Sequence, residues 1–274
     1  MEEIKITNPN KIIFSKEKIT KLDVINYYID VANLMLPYVS NRLLSVIRCH
    51  EGVEGECFYK KHPTNDKNMV NIKKIKGEEY FYIKDIEQLI YQVQMGTIEF
   101  HLWGSLASNL NKPNIMVFDL DPDEKLSLIK LREAVLKVKS VLDDLNLISF
   151  LKTSGGKGYH IVVPFVETKD WESFYNFSQK IAELVESKWS KTFTTNIRKS
   201  EREGKIFVDY LRNNKGSTCV APYSIRAREN ATISFPIEWE NLSRIAPNEI
   251  TIKNYKKYLN NSWGNFFKIK QKLN

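Results

Sequence analysis

The order of apolar stretches predicts an α+β fold with a ferredoxin-like β-α-β-β-α-β core and an N-terminal α/β portion packed against it. Two observations lead to this fold class. Strand-like and helix-like stretches alternate in that order between residues 115 and 211, and the chain before residue 110 has helix-like and strand-like stretches of its own. We therefore expect the 274 residues to form a single domain, with one portion at 1–110 and another at 111–274.

The N-terminal portion begins with a predicted helix from Thr20 to Pro37. Thr20 can cap it, Asp23 follows at the capping-box distance, and Pro37 is expected to end it. Its apolar stripe has helical spacing and comprises Val24, Tyr28, Val31 and Met35. Strand-like runs follow at 43–48, 57–60 and 80–83, and a second helix is predicted at 85–95.

The second portion has a clearer alternation. Strands are predicted at 115–121, 148–152, 159–164 and 205–211, helices at 126–145 and 171–189, and a glycine-rich turn at 154–158. Both helices carry apolar residues spaced three and four apart. The first stripe comprises Leu128, Leu131, Val135, Val138, Leu142 and Leu145, and the second Phe174, Phe177, Ile181 and Leu184.

This topology predicts that four distant polar residues meet. In the usual strand order of fourth, first, third, second, the first strand lies antiparallel between the third and the fourth. Its carboxyl end, with Asp119 and Asp121, then lies beside His160 at the start of the third strand and near Asp209 on the fourth. Alternation along a strand places these side chains on one face of the sheet.

The chain is basic, with 41 Lys and Arg against 33 Asp and Glu, which gives a net charge of +8. This balance fits a polyanionic partner such as nucleic acid, and surface charge that serves solubility is the open alternative. The cluster Arg198, Lys199, Arg202 and Lys205 is interpreted as a solvated loop, with contact to DNA as the open alternative.

Targeting and membrane signals are not found. No apolar run reaches the roughly 18–20 residues of a membrane span, and the charged N-terminus does not resemble a signal peptide. We expect an intracellular protein of the cytoplasm without a membrane partner. Cys49, Cys57 and Cys219 are expected to be reduced thiols, and the spacing of Cys49, His50, Cys57 and His62 disfavours zinc.

Three carboxylates meeting on one face suggest nucleotidyl transfer. Asp119, Asp121 and Asp209 offer oxygen ligands to two divalent cations. The glycine-rich turn can present backbone N–H groups to phosphate. Further phosphate contacts are expected from Ser154, Lys157, His160, Arg226 and Arg228. Each feature alone has an ordinary interpretation: a strand-end turn, a hairpin, a structural histidine.

A phosphatase of the haloacid-dehalogenase type is a competing interpretation of Phe-Asp-Leu-Asp at 118–121. In that class Gly-Thr follows, whereas Pro122-Asp123 follows here. That class also carries the motif on the first strand of a doubly wound parallel sheet. About a hundred residues precede the motif in this chain, so the competing interpretation is disfavoured.

Three motifs resemble those of the archaeo-eukaryotic primase superfamily: Val-Phe-Asp-Leu-Asp-Pro at 117–122, Ser-Gly-Gly-Lys-Gly-Tyr-His at 154–160 and Val-Asp-Tyr at 208–210. More narrowly, nearly the whole chain resembles the polymerase domain of bacterial ligase D. The supporting segments are 7–11, 20–21, 55–62, 99–103 and 221–228. The resemblance implies a primase-polymerase fold, with a DNA-end-binding portion at 1–110 and a catalytic, palm-like portion at 111–274.

The resemblance also implies residue roles. Asp119, Asp121 and Asp209 match the catalytic metal ligands. The matching nucleotide contacts are Ser154, Lys157, Gly158, His160, Arg226 and His101. The pocket for a DNA 5′-phosphate is matched by Asn8, Lys11 and Lys21. Phe58 and Tyr59 match a Phe-Phe pair that stacks on template bases, although core packing is their ordinary interpretation.

The function implied is template-directed polymerisation that fills gaps and extends ends in non-homologous end joining, with Mn²⁺ or Mg²⁺ and a preference for ribonucleotides. The expected partners are gapped DNA or DNA ends with a 5′-phosphate, NTP or dNTP, Ku and a DNA ligase, in the nucleoid. A primase that starts chains de novo and a non-catalytic end-binding scaffold are the alternatives. The chain is interpreted as either an excised domain or a free-standing polymerase.

Overall fold

The computed structural model describes residues 5–64, 67–259 and 263–273. Its helices are α1 (Lys21–Val39), α2 (Ile86–Gln94), α3 (Leu128–Asp144) and α4 (Trp171–Lys188). Its strands are β1 (Ile12–Phe14), β2 (Ile19–Thr20), β3 (Leu44–Cys49), β4 (Cys57–Lys60), β5 (Asn71–Ile75), β6 (Glu78–Tyr82), β7 (Thr97–Trp103), β8 (Ile115–Pro122), β9 (Phe150–Thr153), β10 (Tyr159–Pro164), β11 (Phe193–Thr194), β12 (Ile206–Asp209), β13 (Thr218–Val220), β14 (Ser224–Ile225), β15 (Ile233–Ser234) and β16 (Pro236–Ile237). The fold is mixed α/β, as the sequence predicted.

The segments of the chain group into two compact units. The first unit comprises Met1–Trp103, Val220–Ser234 and Ile250–Leu259. The second unit comprises Gly104–Cys219, Phe235–Glu249 and Asn260–Asn274. The chain therefore passes between the units several times.

The second unit contains a sheet with the order β11-β12-β8-β10-β9-β16. Its four central strands have the predicted order of fourth, first, third, second, and β8 is antiparallel to both β10 and β12. Two edge strands of two residues each, β11 and β16, extend the sheet on both sides. Strands this short have no recognisable alternation, so the sequence did not predict them.

Alternation along β8 separates a packed face from a polar face. Phe118 and Leu120 are fully buried, and the strands of this sheet contact α3 and α4. Truncation of a buried aromatic ring such as Phe118 to alanine costs about 3–5 kcal/mol. In the predicted helix stripes, Leu145 and Leu184 are exposed rather than buried. Leu145 caps the end of α3 beyond its last turn, and Leu184 lies outside the arc of α4 that faces the sheet.

In the first unit, α1 begins where the sequence predicts. The Thr20 hydroxyl accepts a hydrogen bond from the Asp23 amide at 3.2 Å, and the Asp23 carboxylate accepts one from the Thr20 amide at 2.8 Å. The expected stop at Pro37 is wrong, because the helix continues to Val39. Burial of Tyr38 and Val39 holds the last turn in place although Pro37 has no N–H to donate.

Strand β3 pairs antiparallel with both β4 and β7, and β5 pairs with β6. Strand β1 pairs with β2, and β14 pairs with β15. Helix α2 begins after Asp85, whose carboxylate caps the Gln88 amide at 2.9 Å. The strands and the helix predicted between residues 43 and 95 are thus present, with boundaries shifted by one or two residues. None of the helices in the described ranges is sufficiently long and apolar to cross a membrane.

The expectation of three reduced thiols is wrong for Cys49 and Cys57, which form a disulfide. These residues face each other at the end of the β3–β4 pair, with Cα atoms 4.3 Å apart. Hairpin pairing brings together cysteines that are eight residues apart in sequence, and sequence spacing alone does not reveal it. The zinc alternative therefore loses two of its four candidate ligands, because Cys49 and Cys57 are bonded to each other. Cys219 is free and buried.

This pairing predicts the number of titratable thiols. Protein unfolded in denaturant without reductant should react with a thiol reagent at one site per chain, Cys219, because the other two sulfurs are bonded to each other. Reduction before unfolding should raise the number to three, and Cys219→Ser should give none without reductant. Three reactive thiols in the unreduced protein would contradict the disulfide.

Candidate active site

A row of four polar side chains crosses the sheet of the second unit. Lys152 on β9 pairs with His160 on β10, His160 pairs with Asp119 on β8, and Asp119 pairs with Asp209 on β12. Directly opposed residues of antiparallel strands project to the same face. The structure thus brings together Asp119, His160 and Asp209, as the topology predicts, and adds Lys152.

His160 and Asp119 contact each other within this row. His160 Nε2 lies 3.3 Å from Asp119 Oδ1. Burial alone would raise the pKa of Asp119, but its interactions with His160, Arg212 and Lys152 lower it to about 2. Asp119 is therefore an ionised carboxylate at neutral pH.

Asp209 is buried at the end of β12 and is held on two sides. Its carboxylate accepts a hydrogen bond from the Leu211 amide at 2.9 Å and pairs with Arg212 Nε at 3.1 Å. Burial raises the pKa of Asp209, and the charge of Asp119 adds to this effect. Sequence reasoning missed Arg212, although its position three residues after a strand-end aspartate is the signal that could have found it.

Asp121 lies two positions beyond Asp119 on the same face of β8, and Arg202 Nη1 is 3.8 Å from its carboxylate. The Arg202 side chain is only 15% exposed. Its guanidinium stacks 3.6 Å from the centre of the Phe207 ring and donates to the carbonyl oxygens of Asn196 and Ile197. The interpretation of this basic cluster as a solvated loop is therefore wrong for Arg202.

The three carboxylates fit hard divalent cations by their chemistry. Partial burial and the nearby charge of Asp119 raise the pKa of Asp121, as they do for Asp209. A divalent cation between oxygen ligands would relieve this repulsion. The described residues contain no ready-made cluster of three His, Cys, Asp or Glu ligands, because Asp121 and Asp209 face Arg202 and Arg212 instead.

The glycine-rich turn lies between β9 and β10. Ser154 Oγ accepts hydrogen bonds from the amides of Gly156 at 3.0 Å and Gly158 at 3.2 Å. These two N–H groups bond within the turn, so for Gly156 and Gly158 the expectation that the turn offers its N–H groups to phosphate is corrected. The Lys157 ammonium is exposed and forms an ion pair with Glu124.

Gly158 permits close contact between this turn and β8. A Cβ atom at this position would overlap the carbonyl oxygen of Leu120, which lies between the two aspartates of β8. Asn213 supports the same strand, because its side chain donates to the Val117 carbonyl and accepts from the Val117 amide, both at 2.8 Å. Asn213 therefore replaces β12 as a partner of β8 where β12 has ended.

In the first unit, Glu99 joins His101 and Arg226. Its carboxylate lies 2.8 Å from His101 Nε2 and 3.1 Å from Arg226 Nε, and it accepts from the Ala227 amide at 2.7 Å. Burial alone would raise the pKa of Glu99, but these contacts lower it to about 2. Glu99 fixes two residues of the predicted nucleotide set, and sequence reasoning gave it no role.

A cavity of about 310 Å³ in the first unit brings together Asn8, Lys11 and Lys21. Lys11 Nζ forms an ion pair with Glu51 at 2.8 Å. Partial burial and the charge of Lys11 lower the pKa of Lys21. We call this cavity the lysine pocket. Its two ammonium groups give the cavity positive charge, and Glu51 in the lining offsets part of it.

Phe58 and Tyr59 lie on β4 and are 39% and 71% exposed. Their exposure excludes core packing as the explanation for this aromatic pair. The Phe58 ring also contacts His50, with centroids 5.5 Å apart, and His50 lines the lysine pocket. The aromatic pair and the pocket therefore belong to one region of the first unit.

Known proteins of one family are similar to this chain. Residues 20–267 match the family model of the LigD primase-polymerase domain. The multifunctional non-homologous end joining protein LigD of Pseudomonas aeruginosa is 36% identical over 247 residues, which cover 88% of this chain and 29% of that protein. The bifunctional LigD of Bacillus subtilis is 32% identical over 254 residues, which cover 91% of this chain and 41% of that protein.

A solved structure matches as well. The polymerase domain of Mycobacterium tuberculosis Ligase D in complex with DNA superposes with a TM-score of 0.87 and 26% sequence identity, and the match covers 94% of this chain and 95% of that one. The family model and the matched structure identify the chain as a nucleotidyltransferase of the polymerase class. The chain belongs to the family of LigD primase-polymerase domains. It spans less than half the length of the two relatives named above.

The close approach at Gly158 predicts a specific sensitivity. Gly158→Ala should destabilise the protein by about 1–3 kcal/mol, because the added methyl group pushes the turn away from β8. Denaturant unfolding measures this change. Gly204→Asn is the control: no atom lies within 4 Å of a Cβ there, and asparagine tolerates its positive φ of 67°. Equal stability of Gly158→Ala and the unmutated protein would show that the contact is not constraining.

Proposed function

We propose that the protein is a template-directed polymerase that fills gaps and extends DNA ends in non-homologous end joining, with a preference for ribonucleotides. The main observation behind this proposal is the strand register. It places Asp119 directly opposite Asp209 on the adjacent strand, and Asp121 lies on the same face. The DNA in the matched mycobacterial structure supports DNA as the substrate. The names of the curated relatives support the repair pathway.

Asp119, Asp121 and Asp209 would hold two divalent cations, Mn²⁺ or Mg²⁺, which supply charge neutralisation at the attacking 3′-hydroxyl and the triphosphate. Asp119 is ionised before any cation binds, because its pKa is about 2. Asp121 and Asp209 would exchange Arg202 and Arg212 for the cations. The arginines would then be available to compensate phosphate charge.

Nucleotide contacts are proposed for residues of the second unit. In the second unit, His160 Nε2 can donate to a phosphate oxygen, and Lys157 can exchange Glu124 for phosphate because its ammonium is exposed. Ser154 and Gly158 shape the turn beside them. In the first unit, taken by itself, Glu99 holds His101 and Arg226, the other two residues of the expected nucleotide set, in fixed orientations.

The lysine pocket is proposed to bind the 5′-phosphate of a DNA end or gap. Two ammonium groups match a phosphate dianion, and Asn8 adds an amide to the lining. Phe58 and Tyr59 expose ring surface on which template bases can stack. Ku and a DNA ligase are the proposed protein partners, and the nucleoid of the cytoplasm is the proposed location.

The metal assignment predicts that Asp121→Ala abolishes nucleotide addition while DNA binding remains. The carboxylate is proposed to bind a metal ion at the reacting atoms. Its removal leaves the neighbouring Arg202, which can still attract DNA. Primer extension with Mn²⁺ and a DNA-binding titration measure the two properties. Asp123→Ala, two residues further on, is the matched control and should keep both. Normal extension by Asp121→Ala would refute the assignment.

The lysine pocket predicts phosphate-dependent binding. Lys21→Ala should weaken binding to a gapped duplex with a 5′-phosphate about tenfold more than binding to the same duplex with a 5′-hydroxyl. The matched control is Lys16→Ala, because Lys16 is exposed, pairs with Glu229 and does not line the pocket. An equal loss on both duplexes would show that Lys21 contributes only general charge.

De novo priming is the second candidate, because the matching family model is that of a primase-polymerase domain. Synthesis on a single-stranded template without a primer would favour this activity. Strong stimulation by a downstream 5′-phosphate would favour gap filling. Absence of any Mn²⁺-dependent extension would favour a non-catalytic end-binding scaffold.

A further inference from the structure

Lys152 is a charged side chain in the interior of the second unit. It is 1% exposed and lies on β9, directly opposite His160 on β10. Its Nζ atom is 2.9 Å from His160 Nδ1. Burial of an ammonium group is costly unless it is hydrogen-bonded and electrostatically compensated. The mechanism proposed above gives Lys152 no part, so its burial beside the carboxylates needs an explanation.

Hydrogen-bond chemistry restricts the imidazole beside this lysine. A lysine ammonium has three donors and no acceptor, so His160 Nδ1 must accept from it. The single proton of a neutral imidazole then resides on Nε2. That atom is 3.3 Å from Asp119 Oδ1, so the N–H group is directed at the carboxylate. In the opposite tautomer the Nδ1–H group would face the Lys152 ammonium, which is also a donor. The unprotonated Nε2 would face the Asp119 carboxylate, which is also an acceptor.

Cys219 is the competing group at the same nitrogen. Its Sγ atom is 3.2 Å from His160 Nδ1. A thiol is a weak donor, whereas an ammonium forms a charge-assisted hydrogen bond of roughly twice the strength of a neutral one. Lys152 should therefore determine the orientation and tautomer of His160, with Cys219 as a secondary contact.

We propose that Lys152 is a positioning residue that fixes His160 as the Nε2–H tautomer, so that this N–H group can pass from Asp119 to a phosphate oxygen of the incoming nucleotide. The inference rests on the proposed role of His160 in nucleotide binding. Its structural part concerns the second unit alone and involves three neighbouring strands, β9, β10 and β8.

The tautomer can be measured without substrate. The protein has four histidines, so imidazole ¹⁵N spectra are simple, and His160→Gln identifies the signals of His160 by their loss. In spectra recorded at a pH where the ring is neutral, we expect Nε2 to be protonated and Nδ1 to be unprotonated. An Nδ1–H tautomer of the neutral ring would overturn the proposal. This result does not depend on the folding of any lysine variant.

Lys152→Met then tests the cause, since methionine has similar length and no charge. We expect the tautomer preference to be lost and the KM for nucleotide to rise about tenfold, with a smaller change in kcat, because one charge-assisted contact is no longer oriented. Lys139→Met is the matched control: Lys139 lies on α3 of the same unit and pairs with Asp143. It should change neither property.

The competing explanation has its own variant. Cys219→Ala should retain the Nε2–H tautomer if Lys152 fixes it. An unchanged tautomer in Lys152→Met would overturn the proposal. A changed tautomer in Cys219→Ala would then assign the role to the thiol, and an unchanged one there would assign it to Asp119. If the unmutated protein adds no nucleotides, the proposed function fails, whereas the ¹⁵N spectrum still decides what fixes His160.

Discussion

Backbone pairing of β8 with β10 and β12 is the constraint on which the site depends. Its register sets Asp119 directly opposite His160 on one side and Asp209 on the other. A shift of β8 by one residue would turn Asp119 and Asp121 to the packed face, where Phe118 and Leu120 lie. Burial of the apolar face therefore fixes the position of the polar row on the other face. Asn213 and Gly158 secure the same strand from two sides, one by bonding to Val117 and the other by allowing contact at Leu120.

The polar row works against the stability of the sheet. Carboxylates directly opposite each other on neighbouring strands repel, and burial strengthens the repulsion. The raised pKa values of Asp121 and Asp209 express this conflict, and Arg202 and Arg212 offset it. Such an arrangement is understandable where negative charge serves to bind cations. Arg202 and Arg212 pair with these carboxylates, and under the proposed function they are the partners that metal ions would replace.

The first unit also holds like charges close together. Lys11 and Lys21 share one cavity, partial burial and the charge of Lys11 lower the pKa of Lys21, and Glu51 offsets the charge of Lys11. Cys49 lines this cavity, and its disulfide to Cys57 joins the end of β3 to the start of β4, the strand that carries Phe58 and Tyr59. A covalent link therefore connects the pocket with the exposed aromatic pair.

The sequence by itself determined the helices, the central strands, their order and the convergence of Asp119, His160 and Asp209, because alternation and helical spacing are local properties and the topology follows from few rules. It also indicated the members of the lysine pocket, through a resemblance and not through spacing. Only the tertiary structure decided the Cys49–Cys57 bond, the contacts of Arg202 and Arg212, the role of Glu99 and the place of Lys152 beside His160. These depend on which residues of separate segments come into contact, and a charged residue looks the same in sequence whether it ends in solvent or beside a buried partner.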